Sequence, residues 1–344
     1  MAKRKQTGSN TGGKAGNRKR KDAAVKVESE TGGMIASEGQ AVEKQTAEKQ
    51  VAEKQTVKKQ IADAETADNR VTGTQADDSA YQERLKRHHD ELRWLYMELY
   101  GNDSMFAELL ENLRNFYLER NESLKGIDAE REKDPDWYRR NDMLGMMLYI
   151  DNFAGNMKGV ESRLDYIEKC NVNYIHLMPF LETPEGRSDG GYAVSDFRKV
   201  QEKLGSMEDL ESLTAACHGK GIRVCMDFVM NHTSEDHEWA KRARQGEGEY
   251  MSRYFFFDNS YLPSLYEKTV PQVFPTTAPG NFTWLEDCHQ VVMTTFYPYQ
   301  WDLNYENCVV FNDMVGNMLF LANCGIDIIR LDAVPYIWKT LGTN

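Results

Sequence analysis

The first 80 residues of this 344-residue chain contain no aromatic residue, although the whole chain has 17 Tyr, 14 Phe and 6 Trp. Residues 1–77 also have few bulky apolar side chains, and a Lys- and Gln-rich pentad repeats between residues 42 and 61. Such a segment cannot bury enough apolar surface to offset the chain entropy lost on folding. We therefore predict a disordered low-complexity tail over residues 1–77.

Further absences limit the class of protein. The sequence has no apolar run of about 18 residues, which argues against a membrane-spanning helix. The eight Lys and Arg residues among the first 21 are not followed by an apolar run, so they do not form a secretory signal. The six cysteines include no Cys-x-x-Cys pair, and several lie in apolar runs, as in reduced proteins. We therefore expect a cytoplasmic protein.

Charge is divided unevenly between the tail and the rest of the chain. Residues 1–77 carry 15 Lys and Arg against 11 Asp and Glu, whereas the remaining residues carry 27 against 43. An acidic body repels phosphate, so we predict neither a nucleic-acid nor a membrane partner. The basic clusters at residues 3–5 and 18–21 leave open the alternative of a nucleic-acid-associated protein led by its tail.

Residues 78–140 have the period of amphipathic helices. Apolar residues recur at steps of three and four from residue 85 to 99, and again from residue 106 to 117. Residues 101–104, Gly-Asn-Asp-Ser, interrupt the pattern and offer an N-cap for the second helix. We predict a small helical domain over residues 78–140.

From residue 141 short apolar runs alternate with helical segments. The runs cover residues 146–150, 174–178, 222–229 and 326–331, and the helices residues 158–170, 206–219 and 311–323. This alternation predicts right-handed βαβ units and a parallel sheet, hence an α/β fold. A long stretch rich in Gly, Pro and aromatic residues, 233–305, interrupts it and predicts an inserted domain.

Polar clusters follow several of these strands, at the edge where parallel α/β folds bind ligands. Arg330 and Asp332 are two residues apart on a strand, so they project to the same side. A carboxylate beside a permanent cation has a lowered pKa, which suits a nucleophile. The alternative is a purely structural buried ion pair.

Further candidates suit a neutral polyol, which is recognised by carboxylates and aromatic faces. Asp189 and Tyr192 flank a glycine pair that permits a tight turn, and His232 begins the loop after the third strand. Phe296 and Gln300 lie in an aromatic-rich stretch and could line a pocket. The alternatives are an ordinary Asp-Gly turn, a structural histidine and aromatic residues that pack a long loop.

Taken in order, these segments resemble the alpha-amylase family of glycoside hydrolases, which has a (β/α)8 TIM barrel, and within it the amylosucrases. The resemblance covers residues from about 80 to 344. The motifs that carry it are Tyr149-Ile-Asp-Asn-Phe-Ala-Gly155, His176-Leu-Met-Pro179, Pro184-Glu-Gly-Arg-Ser-Asp-Gly-Gly-Tyr-Ala-Val-Ser195, Asp227-Phe-Val-Met-Asn-His-Thr-Ser234, Gln300-Trp-Asp-Leu-Asn-Tyr305 and Arg330-Leu-Asp-Ala-Val334.

The resemblance implies roles for the candidate residues. Asp332 matches the nucleophile that forms a covalent glucosyl-enzyme, and Arg330 matches the residue that orients it. Five residues match positions of the sucrose pocket: Asp189, Tyr192, His232, Phe296 and Gln300. Asn231 matches a calcium ligand of many amylases, but amylosucrases work without calcium, so we expect no metal and no other cofactor.

The implied reaction is retaining transfer of glucose from sucrose to an α-1,4-glucan acceptor, with release of fructose. Two alternatives stay open, and the sequence leaves the oligomeric state undetermined. One is a sucrose hydrolase or other α-glucosidase of the same family. The other is a non-catalytic carbohydrate-binding relative, in which the nucleophile would be dispensable.

The sequence departs from the family pattern after the fourth strand. In the family the acid/base glutamate lies beyond that strand, and only four of the eight barrel strands are recognised here. We therefore expect residues 141–344 to form the first half of the barrel, an incomplete (β/α)8 fold. We also expect the 344-residue chain alone to be inactive.

Overall fold

The computed structural model describes residues 78–343, and the tail predicted over residues 1–77 lies outside this part. Three helices come first: α1 (Ser79–Tyr100), α2 (Asp103–Glu119) and α3 (Glu122–Glu132). The predicted break between the first two is confirmed. Gly101 ends α1 with a left-handed φ of 57°, and Asn102 caps α2 by accepting a hydrogen bond from the backbone N–H of Met105.

The apolar side chains of α1 and α2 pack on a later helix of the chain. Tyr96 and Phe106 are buried together, and the ring of Phe311 lies 5.9 Å from that of Tyr96. The Tyr96 hydroxyl also donates to Asn312 Oδ1 over 3.2 Å. The helical segment therefore shares its core with the rest of the chain, and a domain boundary near residue 140 stays a prediction.

Four parallel strands form the central sheet in the order of the chain. They are β1 (Gly145–Leu148), β2 (Tyr174–Leu177), β3 (Arg223–Val229) and β4 (Ile328–Asp332). All four predicted strands are confirmed, with shifts of up to two residues at their ends. In the register of β3 and β4, Arg330 lies opposite Asp227 and Asp332 opposite Val229, so these polar residues meet at one edge.

Eight further α-helices are described between these strands in the chain. They are α4 (Ile150–Ala154), α5 (Met157–Ser162), α6 (Leu164–Lys169), α7 (Met207–Gly219), α8 (Glu238–Arg244), α9 (Gly248–Met251), α10 (Tyr261–Tyr266) and α11 (Cys308–Asn323). The single helix predicted over residues 158–170 is wrong. The backbone of Arg163 leaves the helical region at φ −105° and ψ 7°, which separates α5 from α6, and Val160 and Leu164 are buried on either side.

Buried side chains of the strands and of α5–α8 and α11 form the main core. Leu177, Met226 and Phe228 share one buried cluster with Leu210 and Leu213 of α7. Truncation of such a side chain to alanine typically costs about 2–5 kcal/mol, because a cavity is added to the lost transfer free energy. This packing holds β2 and β3 rigidly, and their ends carry the site.

The region predicted as an insertion contains short antiparallel strands. Phe256–Phe257, Phe282–Leu285 and Gln290–Met293 form a three-stranded sheet. His232–Ser234 pairs with Gln300–Asp302, with His232 opposite Asp302. The expectation that His232 begins a loop is therefore wrong, because pairing with a distant segment extends it as a strand. Among the helices described, none combines the length and apolar character needed to cross a bilayer.

Candidate active site

The predicted site residues form two connected groups at the carboxyl ends of β2–β4. Asp332, Arg330 and Tyr192 are joined through a buried carboxylate, that of Asp227. Asp189, His232, Gln300 and Phe296 form the other group, and the backbone of Tyr192 hydrogen bonds to His232 across the two. All seven candidates are thus brought together.

Arg330 is shared between two carboxylates. Its Nη1 atom donates to Asp332 Oδ1 over 2.7 Å and to Asp227 Oδ1 over 2.9 Å. The two residues of β4 do project to the same side, as their spacing predicts. The Asp332 side chain is 20% exposed, whereas that of Asp227 is 1% exposed. One carboxylate is therefore open to a ligand and the other anchors the cation.

The expected direction of the Asp332 pKa is wrong. Burial raises the pKa of this carboxyl, and although Arg330 lowers it, the charge of Asp227 raises it again, so the net shift is upward. The Arg330 guanidinium interacts with two carboxylates, those of Asp332 and Asp227, so its effect on the pKa of Asp332 is partly opposed by the charge of Asp227. A hydrogen bond with the backbone of Ala333, a residue in the left-handed region at φ 55°, lowers this pKa as well.

Asp227 is the residue that the sequence interpretation missed as part of the site. Besides Arg330 it accepts a hydrogen bond from the Tyr192 hydroxyl over 3.2 Å. His176 Nε2 lies 3.4 Å from Asp227 Oδ1. Burial and the charge of Asp227 raise the pKa of Tyr192, so its hydroxyl stays protonated and donates. Pairing the predicted strands β3 and β4 in parallel could have identified Asp227, because it places this residue beside Arg330.

Gln300 joins Asp189 to His232. Its Nε2 atom lies 3.1 Å from Asp189 Oδ2 and 3.0 Å from His232 Nε2, while its Oε1 atom accepts from the backbone N–H of Tyr297 over 3.0 Å. An amide nitrogen only donates, so Nε2 of His232 is the acceptor and its ring proton lies on Nδ1. Burial lowers the pKa of His232 to about 4, which keeps the ring neutral at pH 7.

The turn that carries Asp189 is strained, and glycine makes it possible. Asp189 itself has a positive φ of 49°, and Gly190 and Gly191 have φ values of 66° and 101°. A Cβ atom on Gly191 would lie 2.6 Å from the Cβ of Pro179, so no other residue fits there without movement. Burial raises the pKa of Asp189; the hydrogen bond from Gln300 lowers it, and the charge of Asp332 raises it further. The predicted tight turn is confirmed.

Two aromatic rings line the group around His232. The Phe296 ring lies 4.9 Å from the His232 ring and 5.4 Å from the ring of Tyr336. Phe296 is half-buried, so part of its ring remains accessible. Tyr192 is also half-buried. The site therefore combines hydrogen-bonding groups with exposed aromatic surface, which suits a sugar.

A buried ammonium group lies behind the site. Lys339 Nζ donates to Asn231 Oδ1 over 2.8 Å and lies 3.7 Å from Asp302, while Asn231 Nδ2 donates to Asp302 Oδ1 over 2.7 Å. Burial lowers the pKa of Lys339, and Asp302 opposes that effect. The oxygen of the residue that matches a calcium ligand therefore already has a cationic partner. Among residues 78–343, no group of three or more His, Cys, Asp or Glu side chains is arranged to hold a metal ion.

Comparisons with known proteins identify the family of this chain. The profile of the alpha-amylase catalytic domain matches residues 129–343. A trehalose synthase of Pimelobacter sp. is 34% identical over 218 residues, which cover 62% of this chain and 37% of that protein. An alpha-glucosidase of Apis mellifera is 34% identical over 231 residues, covering 64% and 39%. This chain thus spans well under half the length of these relatives.

A solved structure supports the fold. A mutant of the trehalulose synthase MutB in complex with sucrose superimposes with a TM-score of 0.53 and 26% identity, over 60% of this chain and 37% of that one. Together with the profile, this likeness makes the four-stranded sheet part of a (β/α)8 barrel. The order of the strands, the polar residues at their carboxyl ends and the matched profile lead to one conclusion: the chain belongs to the alpha-amylase family.

Proposed function

We propose that the protein is a retaining enzyme that transfers glucose from sucrose to an α-1,4-glucan, with Asp332 as the nucleophile. The observation that carries the proposal is the state of Asp332 at the end of β4. Arg330 holds one of its oxygens over 2.7 Å, and the side chain is still partly exposed. A nucleophilic carboxylate needs this combination of fixed orientation and access to the substrate.

In the proposed reaction the Asp332 carboxylate attacks the anomeric carbon of the glucosyl unit, and the bond to fructose breaks. The acceptor hydroxyl then displaces Asp332, so the configuration is retained. Retention also requires a carboxylic acid that protonates the departing oxygen. Neither Asp189, held by Gln300, nor Asp227, held by Arg330 and Tyr192, is free for that step. We assign it to the acid/base glutamate that the family places beyond the fourth strand, which would give its proton to the departing fructose oxygen and then take the proton of the acceptor hydroxyl.

The other pocket residues would bind and orient the glucosyl unit. The Tyr192 ring offers an apolar face, and its hydroxyl is fixed by Asp227. Asp189 would accept hydrogen bonds from sugar hydroxyls, and the buried, neutral His232 and Gln300 hold it in place. Phe296 would contact the sugar beside His232. Arg330 acts by positioning Asp332 rather than by reacting.

In naming sucrose as the donor and an α-1,4-glucan as the acceptor, we go beyond the assignment to the family. They are supported by the motifs shared with amylosucrases and by the sucrose complex of the MutB mutant. The relatives named trehalose synthase and alpha-glucosidase favour a second candidate, an enzyme that hydrolyses or isomerises another α-glucoside. Both candidates use the same nucleophile and differ in donor and acceptor.

The test is a comparison of donors. The protein is assayed with a complete barrel, including the acid/base glutamate that the family places beyond the fourth strand, and residues 1–344 alone are the control that should be inactive. Each is incubated separately with sucrose, maltose and trehalose, and free fructose and glucose are measured together with iodine-staining polymer. We expect fructose release and polymer from sucrose, and a loss of at least about a thousandfold in rate for Asp332→Asn. Turnover of maltose or trehalose alone would favour the second candidate. Turnover of none of them, or full activity of Asp332→Asn, would overturn the proposal.

A further inference from the structure

The turn that carries Asp189 is anchored by an arginine at its exposed end. Arg187, two residues before Asp189, donates from Nη1 to Glu235 Oε1 and from Nη2 to Asp236 Oδ2, the latter over 2.9 Å. One guanidinium thus bonds to two adjacent carboxylates that lie 48 and 49 residues further along the chain. Because the guanidinium is planar and uses two of its nitrogens, both its position and its orientation are fixed.

Glu235 is held on its other side by a second arginine. Its Oε2 atom accepts from Arg244 Nη2 over 2.7 Å, and Arg244 Nη1 donates to Asp287 over 3.2 Å. The backbone N–H of Glu235 donates to the carbonyl of Tyr299 over 2.8 Å. Glu235 therefore connects Arg187 to α8, which ends at Arg244, and to the residue that precedes Gln300.

The turn itself needs support from outside. Asp189 has a positive φ of 49°, a conformation that persists where surrounding contacts hold it. The nearby hydrogen bond from the backbone N–H of Gly191 to the carbonyl of Ser188, over 3.0 Å, stays within the turn. Gln300 supports the Asp189 carboxylate over 3.1 Å on the side of the pocket. Arg187 supports the turn on the exposed side.

The exposure of the Arg187–Glu235 pair decides what the pair can do. The Arg187 side chain is 48% exposed and that of Glu235 19%. Ion pairs with this exposure contribute little to the free energy of unfolding, because water screens the charges. They can still fix the geometry of a site, and a misplacement of about 1 Å at a binding group is enough to weaken its contacts. We therefore expect the pair to affect sugar binding more than stability.

We infer that Arg187 and Glu235 are a positioning pair for the donor: they hold the Asp189 turn against the strand His232–Ser234, so that the Asp189 carboxylate meets the hydroxyls of the glucosyl unit. The inference rests on the proposed function and deepens it, because it assigns two residues outside the pocket to donor binding. In this role neither residue touches the sugar or takes part in the reaction. Loss of the pair should therefore raise the KM for the donor more than it lowers kcat.

The kinetic test uses the protein with a complete barrel and the donor that it turns over. Arg187→Ala and Glu235→Gln should each raise the KM for the donor about three- to tenfold and change kcat by less than about twofold. Arg187→Lys keeps the charge without the planar fork, so it should restore part of the loss. The double variant should be no worse than the worse single variant, because both changes remove one interaction. Unchanged KM values, or fully additive effects, would overturn the inference.

Ionic strength provides a readout that a purely structural role would not move. Sucrose, maltose and trehalose are uncharged, so salt does not alter their attraction to the protein. Raising NaCl from about 0.05 M to about 1 M should increase the wild-type KM toward that of Arg187→Ala, whose own KM should hardly change. The matched control is Arg93→Ala: Arg93 is also 48% exposed and pairs with Asp103 over 2.6 Å, and its loss should leave both KM and the salt dependence unchanged. Equal salt dependence in wild type and Arg187→Ala would overturn the inference.

A binding measurement separates failure of the inference from failure of the proposed function. Sucrose, maltose and trehalose are titrated by calorimetry into the Asp332→Asn protein with and without Arg187→Ala, and Arg187→Gln serves if alanine impairs folding. Weaker binding without the arginine supports the positioning pair even if no donor is turned over, in which case only the proposed function fails. Equal binding with and without Arg187, or no binding of any of the three sugars, overturns the positioning pair whatever the activity.

Discussion

Two aspartates lie at opposite ends of β4, and their surroundings differ. Asp327, just before the strand, is 3% exposed and has three partners. Arg131 lies 2.6 Å away, His218 Nε2 3.0 Å and the backbone N–H of Val224 2.7 Å. Asp332, the last residue of the strand, is 20% exposed and has one side-chain donor, Arg330. Both carboxylates face an arginine, so the cation alone does not distinguish them.

The direction of the pKa does distinguish them. Burial raises the pKa of Asp327, but the hydrogen bond from His218 and the charge of Arg131 outweigh it and the net pKa is lowered. Burial raises the pKa of Asp332 more than Arg330 lowers it, and the charge of Asp227 adds to the upward shift. Burial raises both pKa values, but Asp327 has more hydrogen-bond donors, whereas Asp332 has a second carboxylate nearby. Asp327 therefore has a structural role, whereas the carboxylate of Asp332 can still accept further hydrogen bonds or contact a ligand.

Paired substitutions test this comparison with the largest expected effect. Asp327→Asn should lower the free energy of unfolding by about 3 kcal/mol, because Arg131 and His218 lose a buried anionic partner. Asp332→Asn should change it by about 0.5 kcal/mol at most, because it removes a partly exposed carboxylate that burial disfavours. Urea unfolding followed by circular dichroism measures both. Equal destabilisation by the two variants would contradict the comparison.

The pH dependence of stability should have opposite signs for the two residues. The folded-state pKa of Asp327 lies below its ordinary value of 3.8, so its stabilisation is present above that pH and is lost as the pH falls through the lowered pKa. The folded-state pKa of Asp332 lies above 3.8, so its ionisation costs stability at neutral pH.

The difference in the free energy of unfolding between wild type and Asp332→Asn should therefore disappear as the pH falls toward about 4. The corresponding difference for Asp327→Asn should persist to lower pH. Thermal unfolding from about pH 7 down to about pH 3 measures both differences. Parallel pH profiles for the two variants would show that the two ends of β4 do not differ electrostatically.

A smaller effect is expected when the second carboxylate is removed. In Asp227→Asn, Asp332 is the one carboxylate that still pairs with Arg330, and a nearby negative charge is lost. Both changes should lower the pKa of Asp332. The acid limb of the kcat/KM profile should move to lower pH, and kcat/KM at neutral pH should fall about tenfold as Arg330 loses its anchor. Asp165→Asn, which removes an exposed carboxylate, is the control. An unshifted acid limb would mean that Asp227 has only a structural role.

The sequence predicted what depends on local pattern. The four strands and the shared side of Arg330 and Asp332 follow from apolar runs and the period of two along a strand. The turn at Asp189 follows from two adjacent glycines. These features need no information from distant parts of the chain, and the structure confirms them.

What the sequence did not predict depends on pairing between distant segments. His232 extends as a strand because Gln300–Asp302, some 70 residues away, pairs with it. Burial and the charge of Asp227 both raise the pKa of Asp332, and Asp227 comes next to Arg330 only through the register of β3 and β4. Lys339 reaches Asn231 across 108 residues. No local pattern in the sequence predicts these contacts, because each depends on how distant segments pair in the fold.

The smallest effect is expected at Tyr192, whose hydroxyl is one of the donors to Asp227. Tyr192→Phe keeps the ring and removes one hydrogen bond of 3.2 Å, so kcat/KM for the donor should fall only about two- to fivefold, the usual range for one neutral donor. Tyr192→Ala also removes the apolar face and should reduce kcat/KM much further. If the phenylalanine variant lost as much activity as the alanine variant, the hydroxyl rather than the ring would matter. Asp227 would then resemble Asp327, a carboxylate that depends on every donor it has.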